Sequence, residues 1–185
     1  MAMKSYNKAN FEITWLPYTL DPNLPVDGIN KFKYWYSRGS KEAVDSSFGP
    51  TDRAGNAVGI TFKYGGDVAN TSRSHQLSEY ARAQGKQNEV MTEMFADYHE
   101  KERNIGSIDV LVDAGNRAGL NEDETRKVLE SESLKATVQK EITDVRRKFG
   151  ATGVPFFVID DQFGVSGARD TSTFHKIFDE VLESS

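Results

Sequence analysis

Apolar positions recur with two different periods along this chain, and the period separates its middle from its ends. Between residues 26 and 149 they return every three or four positions, the spacing of helices with one buried face. Ile29 to Arg38 reads as a short aromatic helix with Phe32, Trp35 and Tyr36 on one side, broken by Gly39-Ser40. A second segment from Lys41 is expected to stop at Gly49-Pro50 and resume over Thr51 to Val58, because proline removes a helix donor. Thr71 to Ala83 and Gln87 to Glu100 flank Gly85, and Ile108, Leu111, Val112 and Ala118 mark a helix ended by Gly119. Asn121-Glu122-Asp123-Glu124 is a capping-box start for Glu122 to Ser131. Leu134, Val138, Ile142, Val145 and Phe149 mark a last helix stopped at Gly150.

The ends alternate instead. Asn10 to Tyr18 reads as a strand leaving into a proline-rich turn through Leu20-Asp21-Pro22. Phe156 to Ile159 reads as a strand, Asp160-Asp161-Gln162-Phe163-Gly164 as a hairpin turn, and Val165-Ser166 as the return. Phe174, Ile177, Phe178, Val181 and Leu182 then give a terminal helix over Thr171 to Leu182, capped by Asp170.

Gly153-Val154-Pro155 introduces the strand at Phe156, where a residue with fixed φ and no donor belongs. An X-Pro bond costs little to hold in cis, and a cis bond would turn the Val154 N–H and C=O outward, where an extended ligand could pair with them. A trans proline opening a core strand fits the same letters.

Composition narrows the chemistry. The 185 residues contain no cysteine, which excludes thiolate catalysis, disulfides and zinc-cysteine sites within them. A hydrophobic content of 37% suffices for a normal core, and a net charge of −5 argues against a nucleic-acid partner. Arg146-Arg147-Lys148 favours the dipole at a helix end and otherwise offers an anion patch. No stretch approaches the apolar length of a membrane span and Met1 to Asn10 lacks a signal-peptide core, so a cytoplasmic protein with no membrane partner is expected.

Taken in order, these segments resemble the DsbA-like, FrnE-type thioredoxin-fold family. The resemblance rests on Asn10 to Tyr18 with Leu20-Asp21-Pro22, on Ser74-His75-Gln76-Leu77, and on Gly153-Val154-Pro155-Phe156-Phe157-Val158 with Ser166-Gly167-Ala168. The kappa-class glutathione transferases and 2-hydroxychromene-2-carboxylate isomerases share the plan. It implies an α/β, thioredoxin-like fold with core halves at residues 1–25 and 150–185 and a helical insertion at 26–149. In the family a strand and a Cys-Pro-x-Cys turn precede the strand matched at Phe11, and here only Met1 to Asn10 do. The first core strand is therefore expected to be missing, with the gap closed by the flanking strands, by Ala57 to Phe62, or by a second copy in a homodimer or larger assembly.

The resemblance implies a disulfide oxidoreductase family, while the absent cysteines imply that this chain does not exchange dithiols and carries no catalytic residue. Its groove would be formed by Gly153, Val154 and Pro155, with His75, Trp15, Arg169 and Thr171 beside it, and would take a peptide or a small thiol. Arg169 and the helix start at Thr171 and Ser172 offer a carboxylate site, although Ala168 and Arg169 stand where kappa-class relatives hold glutathione with a Ser-Asp pair. No cofactor is required, and glutathione is a candidate ligand. The alternatives are a glutathione-dependent isomerase or transferase acting on a small aromatic substrate, and a non-catalytic scaffold. Trp15, Tyr18, Tyr34, Trp35 and Tyr36 either line a groove for an aromatic ligand or pack the insertion. His75, His99 and His175 lack the i, i+4 spacing of a helical metal site, and none is expected.

Overall fold

A computed structural model describes residues 2–184. They form two compact units, Asp21–Val138 and the pair of segments Met1–Leu20 and Gln139–Ser185.

In the Asp21–Val138 unit, β1 (Ile29–Asn30) leads directly into α1 (Lys31–Tyr36), whose cap Asn30 accepts from the N–H groups of Phe32 and Lys33. The aromatic helix expected over Ile29 to Arg38 is thus shorter, because Ile29 and Asn30 pair antiparallel with β2 (Asp67–Val68). Then α2 (Lys41–Asn56) runs unbroken with Pro50 inside it, where a stop was expected. Tertiary packing overrides the proline: Tyr64 stacks on Phe48 with ring centroids 4.1 Å apart and donates to Asp52 at 2.8 Å, gripping the helix on both sides of Gly49-Pro50. Residues 57–62 form no strand.

The order continues with α3 (Ser72–Ala83), α4 (Gln87–His99), α5 (Ile108–Arg117) and α6 (Glu122–Ser131), where the glycine and cap signals of the sequence apply. Asn121 Oδ1 accepts from the Glu124 N–H at 3.0 Å, and Gly119 ends α5 with φ +90°. The facing stripes of these helices bury Leu77, Val90, Met94, Leu111, Val112 and Leu129 in one core. Asp97, also wholly buried, accepts from Arg117 at 2.7 Å, Lys101 at 3.1 Å and Arg103 at 3.2 Å, tying α4 to α5.

Tyr64 gives this unit a measurable alkaline response. Burial, followed by the Asp52 hydrogen bond, pushes its phenol up to about 12 from an ordinary 10.0. The stabilisation is therefore complete below pH 10 and is lost as pH rises from 10 to 12. Tyr34, Tyr36 and Tyr98 shift the same way, while burial lowers the Lys31 ammonium from 10.5, so that its titration favours the fold as pH rises toward that value. The melting temperature is expected to fall between pH 10 and 12, and to fall less steeply in Tyr64→Phe. An identical slope in wild type and variant would assign the loss to the other tyrosines.

Across the boundary runs α7 (Lys135–Phe149), stopped by Gly150 at φ +64°. In the other unit β3 (Phe156–Ile159) and β4 (Phe163–Ser166) form an antiparallel hairpin. Asp160 and Asp161 both adopt positive φ in its turn, a conformation aspartate tolerates, and the return strand starts two residues earlier than expected. The terminal helix α8 (Thr171–Ser184) packs on the hairpin through Phe157 and Phe174, centroids 5.0 Å apart. Phe178 continues this aromatic row to Phe11 at 4.8 Å and Tyr6 at 5.1 Å.

The strand expected over Asn10 to Tyr18 does not form. A strand needs a hydrogen-bonded ladder with a neighbour, and among the described residues neither sheet includes this stretch. The two sheets contain two strands each, so neither flanking-strand closure nor insertion of Ala57 to Phe62 occurs within the described residues.

Candidate functional site: the open edge of β3

Ladder geometry decides which backbone groups of β3 are free. Partners in β3 and β4 sum to 322 in sequence number, from Phe156 with Ser166 to Ile159 with Phe163. The Gly167 N–H donates to the Pro155 carbonyl at 2.9 Å, which places Pro155 and Gly167 in a hydrogen-bonded pair of the same register. Such pairs alternate in an antiparallel ladder, so Phe157 and Ile159 bond to β4 while the N–H and C=O of Phe156 and Val158 point the other way. Among the described residues no strand occupies that side.

The approach to this edge is open. The Val154–Pro155 peptide is cis. Val154 is 49% exposed, Pro155 is exposed, and a Cβ built on Gly153 would meet nothing within 4 Å. Phe157 is 39% exposed although its ring meets Phe174. On the opposite face the Phe156 ring lies over Gly164, where a Cβ would stand 3.2 Å from it, so that glycine lets the aromatic ring cross the hairpin. The result is a short edge with apolar side chains on both faces and four unpaired backbone groups between them.

The other residues expected at the groove are carried by separate elements. Trp15 lies exposed in the irregular N-terminal stretch of the same unit, together with Ile13 and Leu16. Thr171 opens α8, but Asp170 already serves that helix end: its Oδ1 accepts from the Thr173 N–H at 2.8 Å and from the hydroxyls of Ser172 and Thr173. These hydrogen bonds, the backbone one first, hold the Asp170 carboxyl below its usual range, so a carboxylate stands where a ligand carboxylate was expected. Arg169 next to it is exposed. His75 belongs to the other compact unit, in the first turn of α3, with its Nε2 3.4 Å from the Thr71 hydroxyl. In Arg146-Arg147-Lys148 each side chain has a partner within the protein: Arg146 donates to the Thr19 carbonyl, Arg147 to Asp144 and Lys148 to Asp161.

Two features escaped sequence reasoning. Lys31 is buried with its Nζ 2.9 Å from the Tyr98 carbonyl and 3.7 Å from the Tyr98 ring centroid, and nothing in its neighbourhood in the chain announces this. Asp97 could have been found, because it continues the Val90–Met94 apolar stripe of α4, where an acid demands buried partners. Among the described residues no group of histidine and acidic side chains could hold a metal ion, and no helix is long and apolar enough to cross a membrane.

A model of the DSBA-like thioredoxin domain matches residues 1–179. The uncharacterized protein YwbO of Bacillus subtilis is 24% identical over 170 residues, which span 89% of this chain and 80% of that protein. The crystal structure of a probable DsbA oxidoreductase from Streptomyces coelicolor superposes with a TM-score of 0.83 at 24% identity, covering 90% of this chain and 73% of the other.

Proposed function

The chain belongs to the DsbA-like thioredoxin family, whose fold here carries no cysteine, and from that premise we propose that it is a non-catalytic binder of extended peptide, captured by strand addition at the open edge of β3. Dithiol exchange needs a thiolate, and these residues supply none. What remains is recognition, and the observation that supports it is the outward pair of N–H and C=O groups on Phe156 and Val158.

The size of the edge bounds the affinity. Two residues offer four backbone hydrogen bonds, each worth about 0.5–1.5 kcal/mol net. The gross gain is then at most about 6 kcal/mol, and immobilising the peptide offsets much of it, so backbone pairing alone yields dissociation constants of roughly millimolar or weaker. Selectivity then lies with side chains that meet Val154 and Phe157, favouring apolar residues at alternate positions. A second copy offering its own β3 edge is the homotypic occupant, and self-association follows from the same geometry at high concentration.

Val158→Pro tests this reading, because it deletes one outward N–H at an edge position that tolerates proline. In fluorescence anisotropy with a labelled apolar extended peptide, Val158→Pro is expected to weaken binding at least tenfold, whereas Val158→Ala retains it. The same peptide N-methylated at alternate residues is expected to lose binding to the unmodified protein, which guards against misfolding of the proline variant. Binding indifferent both to Val158→Pro and to N-methylation would reject strand addition.

A further inference from the structure

The helical unit contains a second candidate site that involves no part of the β3 edge. Its floor and walls come from α1, α2 and the strand-less segment that follows: Trp35, Val44, Ser47, Phe48 and Tyr64, with Arg38 at the rim. The cleft has a volume of about 370 Å³, at the small end of ligand sites. The Phe48 and Tyr64 rings stack, and Trp35 stands 5.9 Å from Phe48 and 6.5 Å from Tyr64 by ring centroids. These rings present an aromatic wall suited to a flat partner.

Hydrogen-bond accounting fixes the polarity of that partner. The Tyr64 hydroxyl donates to Asp52, the Ser47 hydroxyl to the Val44 carbonyl and the Thr51 hydroxyl, also at the cleft, to the Ser47 carbonyl. Every hydroxyl proton is thus committed within the protein. Arg38 is the one charged residue lining the cleft among the described residues, and it offers five N–H donors. Asp21 takes one of them at 2.5 Å, and the guanidinium rests 4.7 Å from the Tyr34 ring centroid. Asp21 is itself fixed by the Asn23 N–H and the Tyr34 hydroxyl, so the guanidinium is held in place with its side chain 61% exposed. Among the described residues no acidic side chain lines the cleft to receive a cation.

We propose that this cleft binds a planar aromatic anion of one or two rings, its ring against Trp35, Phe48 and Tyr64 and its acid group on Arg38. The site gives the aromatic-ligand reading of this family member a specific location, and it stands whether or not β3 captures peptide.

Isothermal titration calorimetry with naphthalene-2-sulfonate tests it directly, using 2-naphthol as the uncharged ring and cyclohexanesulfonate as the non-aromatic anion. Saturable one-to-one binding of naphthalene-2-sulfonate is expected, with cyclohexanesulfonate at least tenfold weaker. Arg38→Gln is expected to weaken the sulfonate at least tenfold and to leave 2-naphthol within twofold. Val44→Phe, which fills the cleft, is expected to remove both. The chain has two tryptophans, so Trp15→Phe leaves Trp35 as the sole indole, and its emission should change saturably with the same dissociation constant; this locates the ligand even if Val44→Phe fails to fold. Absence of saturable binding, or binding unchanged by Arg38→Gln and silent at Trp35, would overturn the assignment. Neither result touches the β3 edge, which the peptide titration reads separately.

Discussion

Asp97→Ala is expected to destabilise the protein by about 3–5 kcal/mol, the cost of removing one partner from a buried ion cluster. The carboxylate is wholly buried and receives three cationic groups: Lys101 on one oxygen, and Arg103 and Arg117 on the other. Arg103 and Arg117 also bond to Asp113, and Arg117 donates to Glu93 at 2.6 Å. Burial opposes the charge of Arg117, but its bonds to Glu93 and Asp97 outweigh that and raise its affinity for the proton. Deleting Asp97 leaves a void beside two half-buried guanidinium groups, whose remaining acidic partners are Asp113 and Glu93. The Arg103 N–H donates to the Asp97 backbone carbonyl, a bond that Asp97→Ala keeps, so the loss reads the side chain alone. Urea unfolding reads the loss, and Asp97→Asn, which fills the space without the charge, should recover only part of it. A loss below about 1 kcal/mol would mean that the cations relax into water, as they do for exposed pairs.

The same residue shows how much of the molecule could be read from its letters. The helices α3 to α6 were legible because each carries its own punctuation: Gly85, Gly119 and the Asn121 cap are local signals, and local hydrogen bonds fulfil them. Asp97 was visible only as an acid on an apolar stripe; its partners at Arg103 and Arg117 are brought to it by packing. The continuity of α2 was not legible at all, since Tyr64, eight residues beyond the end of that helix, supplies the contacts that carry it past Pro50. The stretch from Asn10 to Tyr18 has the alternation of a strand, but alternation records a preference for two faces and not the presence of a neighbour. For the candidate sites the division is similar. Gly153-Val154-Pro155 could be identified from sequence as the entry to β3, and the outward set of Phe156 and Val158 required the register. The aromatic cleft could not be assembled beforehand, because Trp35, Phe48 and Tyr64 lie 13 and 16 residues apart with no shared period.

Gly66→Ala is the second large effect, expected at about 2–5 kcal/mol from the sum of a left-handed backbone and a steric clash. Gly66 has φ +75°, and a Cβ there would stand against the Glu102 carbonyl, with the carbonyl carbon only 3.0 Å away. Neither side can yield easily. Glu102 itself holds φ +57° and accepts the Gly65 N–H on its carboxylate at 2.8 Å, while the Gly66 carbonyl accepts the Lys31 N–H at 3.1 Å. Displacing Gly66 therefore moves the start of α1, and with it the buried Lys31 ammonium that satisfies the Tyr98 carbonyl near the end of α4. Gly85→Ala provides the comparison, since Gly85 has φ +65° and open space where its Cβ would go. That variant should lose only the backbone term of about 1–2 kcal/mol, and the difference between the two in urea unfolding isolates the contact between Gly66 and Glu102. Equal losses would show that the Glu102 turn gives way at no cost, and that Lys31 keeps its place without the close approach of these two backbones.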